Sequence, residues 1–248
     1  MSIADQNVKS NTSRSSWDSE ALSQTIQNVS IQDKSQRDLV IDFLEIDVRE
    51  FLTELASYCD GIIAGKVSLE NGQAEIGRLF GQIADRGSEI ETALRDKLLI
   101  LEVKKVFRQL TGAYVYQSRI IKLAHEKPRG YPGDYELIEL IYDNIPITNG
   151  VGRFLDRYFL DNGYAQSVRK RKEKMGLLLA EYIKQSSVLP VRVLNIACGS
   201  CREIRELCLN DRALVRKLDL TILDQDPGAL EFSKTELEST KVIPKLRC

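Results

Sequence analysis

Two hydrophobic patterns divide the chain, a helical one in its first half and a strand-like one near its end. From Arg37 to about Glu126, apolar residues recur at i, i+3, i+4 and i+7 in the phrases LVIDFLEIDVREFLTEL, IGRLFGQIADRGSEIETALRDKLLILEVKKVF and YVYQSRIIKLA. This period predicts a bundle of amphipathic helices. The glycine-containing stretches CDGIIAGKVSLENGQ, ADRGS and LTGA are expected to break those helices.

After Ser187 the period changes to alternating strands and helices. Residues 191–197 form a strand-like apolar run, residues 202–209 a helix, LDLTILD a second strand and residues 227–239 a second helix. Asp226 is expected to be the N-cap of that last helix, a role that asparagine would fill about as well, with Pro227 at its first position. Strand, helix, strand, helix at this spacing is typical of a parallel α/β sheet.

The composition is that of a soluble globular protein, with 43% hydrophobic and 29% charged residues. The 35 lysines and arginines nearly balance the 36 aspartates and glutamates, so the overall charge favours neither nucleic acid nor a membrane surface as the main partner. No apolar run is long enough to span a bilayer, and the N-terminus has no signal-peptide pattern. We therefore expect a cytoplasmic protein whose five cysteines are reduced thiols.

The stretch VLNIACGSC carries a Cys-x-x-Cys pair, Cys198 and Cys201, between a strand and a helix. A thioredoxin-type site has this placement, because a helix N-terminus lowers a thiol pKa. Against that interpretation, Ala197 stands where those oxidoreductases usually carry an aromatic residue. Zinc binding by the pair together with Cys208 lacks a fourth ligand at a recognisable spacing. Ordinary thiols in a tight turn are favoured, and the redox and zinc interpretations stay open.

The same stretch lacks the G-x-G-x-x-G of dinucleotide-binding loops, because only Gly199 is present. It resembles motif I of class I methyltransferases, which bind S-adenosylmethionine and whose motif is commonly written V-L-D-I-G-x-G-x-G. Asn195 stands at the acidic position of that motif, Ala197 at the first glycine, Gly199 at the central glycine and Cys201 at the last.

An acid at the end of the second strand is the other half of this resemblance. In such enzymes it accepts hydrogen bonds from both ribose hydroxyls of the cofactor, and Asp224 stands at the corresponding position. The alternative is that Asp224 only begins a turn. The cofactor-binding residues implied by the resemblance are Asn195, Ala197, Cys198, Gly199, Asp224 and Gln225, the last beside the adenosine.

Three phrases together, KPRGYPGDYELIELIY, LNIACGSCREI and LTILDQDPGALEF, narrow the match. They are similar to a bacterial methyltransferase family with a helical N-terminal region, which includes the enzyme that makes 3-hydroxypalmitic acid methyl ester, a quorum-sensing signal. The resemblance implies methyl transfer from S-adenosylmethionine to the carboxylate of a hydroxylated fatty acid. A carboxylate is already a nucleophile at neutral pH, so no general base is required, and no catalytic residue is assigned.

The stretch GYPGDY is expected to form a turn, because Gly130, Pro132 and Gly133 favour one. Its polar and aromatic residues either line a cofactor or substrate pocket or pack as an interdomain turn. The candidate pocket-lining residues are Arg129, Tyr131, Asp134 and Tyr135. The single histidine, His125, is expected to be a surface or capping group, and the run RKRKEK a solvated helix face.

The predicted organisation is an α/β protein in three parts. Residues 1–36 form a flexible lead-in that Trp17 would anchor, 37–186 a helical domain, and 187–248 the first βαβα portion of a Rossmann-like, S-adenosylmethionine-binding sheet. The chain is expected to reach only the second strand, so further residues or another chain, including a second copy, would complete the sheet. The rival hypothesis is a non-catalytic helical interaction or regulatory module with a vestigial nucleotide fold.

Overall fold

The computed structural model describes residues 33–242 and 245–248, without the side chain of Leu69. The predicted lead-in up to residue 32, with Trp17, lies outside the described residues. The helices are α1 (Lys34–Asp42), continued by a π-helical segment (Phe43–Asp47), α2 (Val48–Ile63), α3 (Leu69–Ala93), α4 (Lys97–Val115), α5 (Arg119–Glu126), α6 (Tyr135–Asp143), α7 (Val151–Asp161), α8 (Gly163–Gln185), α9 (Arg202–Asn210), α10 (Arg212–Val215) and α11 (Pro227–Ser239). The strands are β1 (Val191–Ile196), β2 (Leu218–Leu223) and β3 (Leu246–Arg247).

The helical pattern predicted for residues 37–126 is confirmed, but two of the predicted breaks are wrong. The stretch ADRGS lies inside α3 and LTGA lies inside α4. A single glycine costs a helix only about 1 kcal/mol, and the hydrophobic period continues across both stretches. The helices instead begin where polar side chains cap them: Asp96 accepts a hydrogen bond from the Leu98 amide at 2.8 Å, and Ser118 caps α5.

Residue contacts divide the chain into two units. One comprises the described residues up to Ser57 with 78–112, and the other comprises 58–77 with 113–248. In the first unit, Phe51 meets Phe80 edge to face at 5.2 Å between ring centroids. The second unit contains the sheet and every predicted site residue. The predicted domain limits at residues 36 and 187 stay predictions.

The three strands form a parallel sheet in the order β1-β2-β3. β1 and β2 pair from Val191 opposite Leu218 to Ile196 opposite Leu223, and Leu220 of β2 pairs with Leu246. The prediction of a helical region followed by a parallel α/β sheet is confirmed. The expectation that the chain reaches only the second strand is wrong, since β3 follows it. The sequence did not predict β3 because a strand of two residues is too short to show a hydrophobic period.

One face of this sheet is buried and the other carries exposed apolar residues. Val191, Leu218 and Leu220 point into a core shared with helix residues such as Ile183 and Ile204. On β1 the burial alternates from residue to residue, which is the expected pleat of a strand with one covered face. Because β1 and β2 are parallel, their carboxyl ends meet at one edge, where the loops after both strands come together.

Among the described residues, no helix has both the length and the apolar character that crossing a bilayer requires.

A buried carboxylate holds the start of α5 against the loop before α7. Asp156 is fully buried, and its Oδ1 accepts hydrogen bonds from Ser118 Oγ at 2.5 Å and from the Ile120 amide at 3.5 Å. Its Oδ2 accepts from the amides of Ile147 and Thr148 at 2.9 and 2.8 Å. This side chain therefore satisfies donors from two segments that would otherwise be buried without partners.

We expect Asp156→Ala to lower the free energy of unfolding by about 3 kcal/mol, because it leaves several buried donors unpaired. Asp161→Ala is the matched control: its side chain is half exposed and pairs with Arg157 one turn away, so its loss should cost less than about 1 kcal/mol. Urea unfolding followed by circular dichroism measures both. Equal losses in the two variants would contradict the structural role given to Asp156.

Candidate functional site

A cavity of about 680 Å³ opens at the carboxyl ends of β1 and β2. Its volume lies in the usual range of small-molecule sites. The lining comes from the loop after β1, the end of β2, the turn before α6, and helices α6, α8 and α9. The predicted residues that line it are Ala197, Cys198, Gly199, Asp224, Gln225, Tyr131 and Tyr135.

The loop after β1 has a left-handed backbone at every second residue. The φ angle is 55° at Ala197, 54° at Gly199 and 48° at Cys201. These are the three positions at which the resemblance to motif I places glycine. The chain therefore adopts the conformation that glycine favours with two residues that have a Cβ atom, at a cost of about 1–2 kcal/mol each.

Hydrogen bonds from β2 and α11 hold this loop in place. The Cys198 amide donates to the Leu223 carbonyl at 3.2 Å, which continues the pairing of the two strands. The Gly199 amide donates to Asp224 Oδ2 at 2.8 Å, and the Gly199 carbonyl accepts from Ser233 Oγ at 2.6 Å. The surrounding structure thus determines the left-handed conformation and offsets its cost.

The carboxylate of Asp224 bridges the two loops. Its Oδ2 accepts from the Gly199 amide and its Oδ1 accepts from the Asp226 amide at 2.9 Å. Asp224 is partly exposed and lines the cavity. A carboxylate offers about four acceptor positions, so each oxygen keeps one for a ligand hydroxyl. Asp224 therefore does more than begin a turn, because the same carboxylate both supports the loop after β1 and lines the cavity.

Asp226 joins the GYPGDY turn to the end of β2. It caps α11 as predicted, accepting from the Gly228 amide at 2.8 Å, with Pro227 at the start of the helix. It also accepts from Arg129 Nη1 at 3.0 Å and from Tyr131 Oη at 3.0 Å. The predicted cap is confirmed, but the pair with Arg129 is a second role that was not predicted, and asparagine could not fill it because its amide carries no charge.

Three of the predicted site residues support the cavity and do not line it. Asn195 donates to Cys201 Sγ at 3.4 Å and to Glu203 Oε1 at 3.2 Å. Asp134 is buried as the N-cap of α6. The guanidinium of Arg129 pairs with Asp226 and lies 4.5 Å from the ring centroid of Tyr135.

Among the lining residues that were not predicted, Tyr142, Arg171 and Glu203 are the ones with titratable side chains. Glu203 is the acidic residue in the first turn of α9, directly after the loop. An acid so close to the loop could have been predicted from the sequence as a residue of the site.

Arg171 belongs to the run RKRKEK. The prediction that this run is a solvated helix face is confirmed for Lys170, Glu173 and Lys174, which are exposed. Lys172 instead pairs with Glu206 at 2.6 Å, and Arg171, although exposed, lines the cavity.

Burial raises the pKa of one carboxyl group and of two tyrosine hydroxyls that line the cavity. It raises the pKa of the Glu203 carboxyl, while the hydrogen bond from Asn195 and the charge of Arg171 act in the opposite direction. Burial also raises the pKa of Tyr142, and it raises that of Tyr131 to about 12 together with the hydrogen bond to Asp226. Both phenols are therefore neutral hydrogen-bonding groups at pH 7.

The two loop cysteines are buried free thiols. The Cys201 thiol donates to the Cys198 sulfur, which lowers the pKa of Cys198 and raises that of Cys201. Over the described residues, no group of three or more His, Cys, Asp and Glu side chains is placed to hold a metal ion. His125 stacks on Tyr116 at 4.9 Å between ring centroids and is not among the lining residues.

We expect Ala197→Gly to stabilise the protein by about 0.5–1 kcal/mol, because glycine adopts φ of 55° without steric strain. Ala180→Gly, inside α8, is the opposing control and should cost about 1 kcal/mol. Urea unfolding of both variants measures the difference. Destabilisation by Ala197→Gly to the same extent as by Ala180→Gly would show that the loop is not strained.

A family model supports a functional assignment for this region. The model of the family described as "Putative methyltransferase" matches residues 98–227, more than half of the chain, from α4 through the loop after β1 to the start of α11. Searches of curated proteins and of solved structures found no match. The matched segment contains every residue of the cavity lining. The chain belongs to this family of methyltransferases.

Proposed function

We propose that the chain is an S-adenosylmethionine-dependent methyltransferase and that the cavity at the ends of β1 and β2 binds the cofactor. One observation carries this proposal. The loop after β1 is left-handed at the three positions of the motif I glycines, and Asp224 at the end of β2 faces the same cavity. The parallel order of the strands, with this site at their carboxyl ends, supports a Rossmann-like sheet.

The lining residues fit the nucleoside part of this cofactor. Asp224 keeps an acceptor position on each oxygen, which suits two ribose hydroxyls. Gln225 is exposed beside it, where it would meet the adenosine. The tight loop after β1 lines the cavity with Ala197, Cys198 and Gly199, so its backbone would lie next to a bound cofactor.

The chemistry asks little of the side chains. The cofactor supplies a methyl group already activated on a sulfonium, so the protein has to align the acceptor and exclude water. Tyr131 and Tyr142 are neutral, and His125 lies outside the lining, so we favour an acceptor that is already ionised. A carboxylate oxygen would form the new bond to the methyl carbon while the carbon–sulfur bond breaks, and no lining residue has to accept a proton.

The acceptor that we propose is the carboxylate of a hydroxylated fatty acid, with a signalling methyl ester as product. The resemblance of the sequence to the 3-hydroxypalmitic acid methyl ester family supports this choice. The apolar side chains of Ile138, Ile196 and Leu223 also line the cavity and suit an acyl chain.

The first test is calorimetric titration of the purified chain with S-adenosylmethionine. Binding with a stoichiometry near one is the expected result. A non-catalytic module with a vestigial nucleotide fold should show no binding heat, and that outcome would overturn the proposed function.

We expect Asp224→Asn to weaken S-adenosylmethionine binding by about 1.5–3 kcal/mol, because it removes the charge from two ribose hydrogen bonds. Asp211→Asn is the matched control: Asp211 caps α10 away from the cavity, and asparagine caps a helix about as well. Isothermal titration of both variants provides the comparison.

A 2′-deoxyribose analogue of S-adenosylhomocysteine separates the two roles of Asp224. If the carboxylate binds the ribose, the wild-type chain should prefer S-adenosylhomocysteine over this analogue, and Asp224→Asn should lose most of that preference. An unchanged preference would assign Asp224 to loop support alone.

A further inference from the structure

Besides Asp224, two side chains of opposite charge line the cavity, and the proposed function so far uses neither. Glu203 comes from the first turn of α9 and Arg171 from the middle of α8. Within the described lining, Arg171 is the one cationic side chain, and Glu203 and Asp224 are the acidic ones.

Glu203 is a partly buried carboxylate whose own backbone amide, Asn195 and the charge of Arg171 offset part of the cost of its burial. Burial raises its pKa, and in the described part of the chain its side-chain hydrogen-bond donor is Asn195, at 3.2 Å to Oε1. A carboxylate in such a place gains most from a cation brought by a ligand. Asn195, at the position where the resemblance to motif I places an acid, donates to this carboxylate, so the acid nearest that position is Glu203.

Arg171 is directed differently from the basic residues beside it. Arg169 donates to the carbonyls of Leu160 and Ile141, and Lys172 pairs with Glu206. Arg171 instead contributes to the cavity wall beside Tyr142. It also hydrogen-bonds the Tyr142 hydroxyl. A guanidinium has five N–H donors, so Arg171 can in addition bind a planar anion such as a carboxylate.

From this arrangement we infer that Glu203 and Arg171 bind the amino-acid end of S-adenosylmethionine, Glu203 the α-ammonium and Arg171 the α-carboxylate. This inference rests on the proposed function. The lining carries two carboxylates and one guanidinium, a net charge of −1. S-adenosylmethionine carries a net charge of +1 and S-adenosylhomocysteine none, so the cavity charge favours the donor over the spent product.

The experiment compares two uncharged-sulfur ligands by calorimetry. S-adenosylhomocysteine has the amino-acid end, whereas 5′-methylthioadenosine has the same adenosine and thioether without it. We expect Glu203→Gln and Arg171→Gln each to weaken S-adenosylhomocysteine binding about tenfold or more, the effect of one charged hydrogen bond. Both variants should bind 5′-methylthioadenosine within about twofold of the wild-type chain, because this ligand lacks the ammonium and the carboxylate on which Glu203 and Arg171 would act.

Two neighbours on α8 provide matched controls. Glu173 and Lys170 are exposed and do not line the cavity, so Glu173→Gln and Lys170→Gln should leave both affinities unchanged. The double variant Asn195→Asp, Glu203→Gln tests the moved charge. It should recover most of the affinity for S-adenosylhomocysteine that Glu203→Gln loses, since a carboxylate returns next to the same site.

A pH titration adds a readout that packing alone would not change. Burial raises the pKa of Glu203, so this side chain loses its charge at a higher pH than an ordinary glutamate does. Wild-type affinity for S-adenosylhomocysteine should therefore fall as the pH is lowered through that raised pKa, and Glu203→Gln should lose this dependence. Affinity for 5′-methylthioadenosine should lack it in both proteins.

The outcomes separate the two proposals. If the wild-type chain binds neither ligand, the proposed function fails. If it binds both and the variants keep wild-type affinity for S-adenosylhomocysteine, the pairing is overturned and the proposed function stands. Equal losses for both ligands would assign Glu203 and Arg171 to cavity shape and also overturn the pairing. Should Glu203→Gln not fold, Arg171→Gln decides the result, because Arg171 is exposed.

Discussion

The site depends on one carboxylate between two backbone amides. Asp224 accepts from Gly199 on one oxygen and from Asp226 on the other, so the loop after β1 and the start of α11 are fixed to the same side chain. Charged acceptors form the stronger hydrogen bonds of proteins, and both donors here belong to segments without regular pairing. The left-handed loop and the position of Asp226 both follow from this bridge.

Further contacts connect Asp226 to the two tyrosines that line the cavity from the GYPGDY turn. Asp226, fixed by Asp224, binds Arg129 and Tyr131, and Arg129 lies over the ring of Tyr135. Tyr131 and Tyr135 thereby become part of the cavity although they precede Asp224 by about a third of the chain. The cavity is thus lined both by the ends of β1 and β2 and by the separate segment around GYPGDY.

Much of this site could be predicted from the sequence, because local patterns determine it. The hydrophobic period predicts β1 and β2, and the motif resemblance indicates Gly199 and Asp224. Tertiary contacts determine the rest. The two bonds of Asn195, the second role of Asp226 and the direction of Arg171 depend on partners far along the chain, which no local period reveals. Likewise, β3 consists of two residues and exists only through pairing with β2.

The contact between Arg129 and Asp226 joins residues 97 positions apart, whereas most residue contacts in the described part of the chain join positions fewer than 12 apart. Closing so long a loop costs conformational entropy before the contact stabilises anything, so helices form ahead of it during folding. Since this contact ties the turn with Tyr131 to the end of β2, a ligand that needs the whole cavity is expected to stabilise only the completely folded chain.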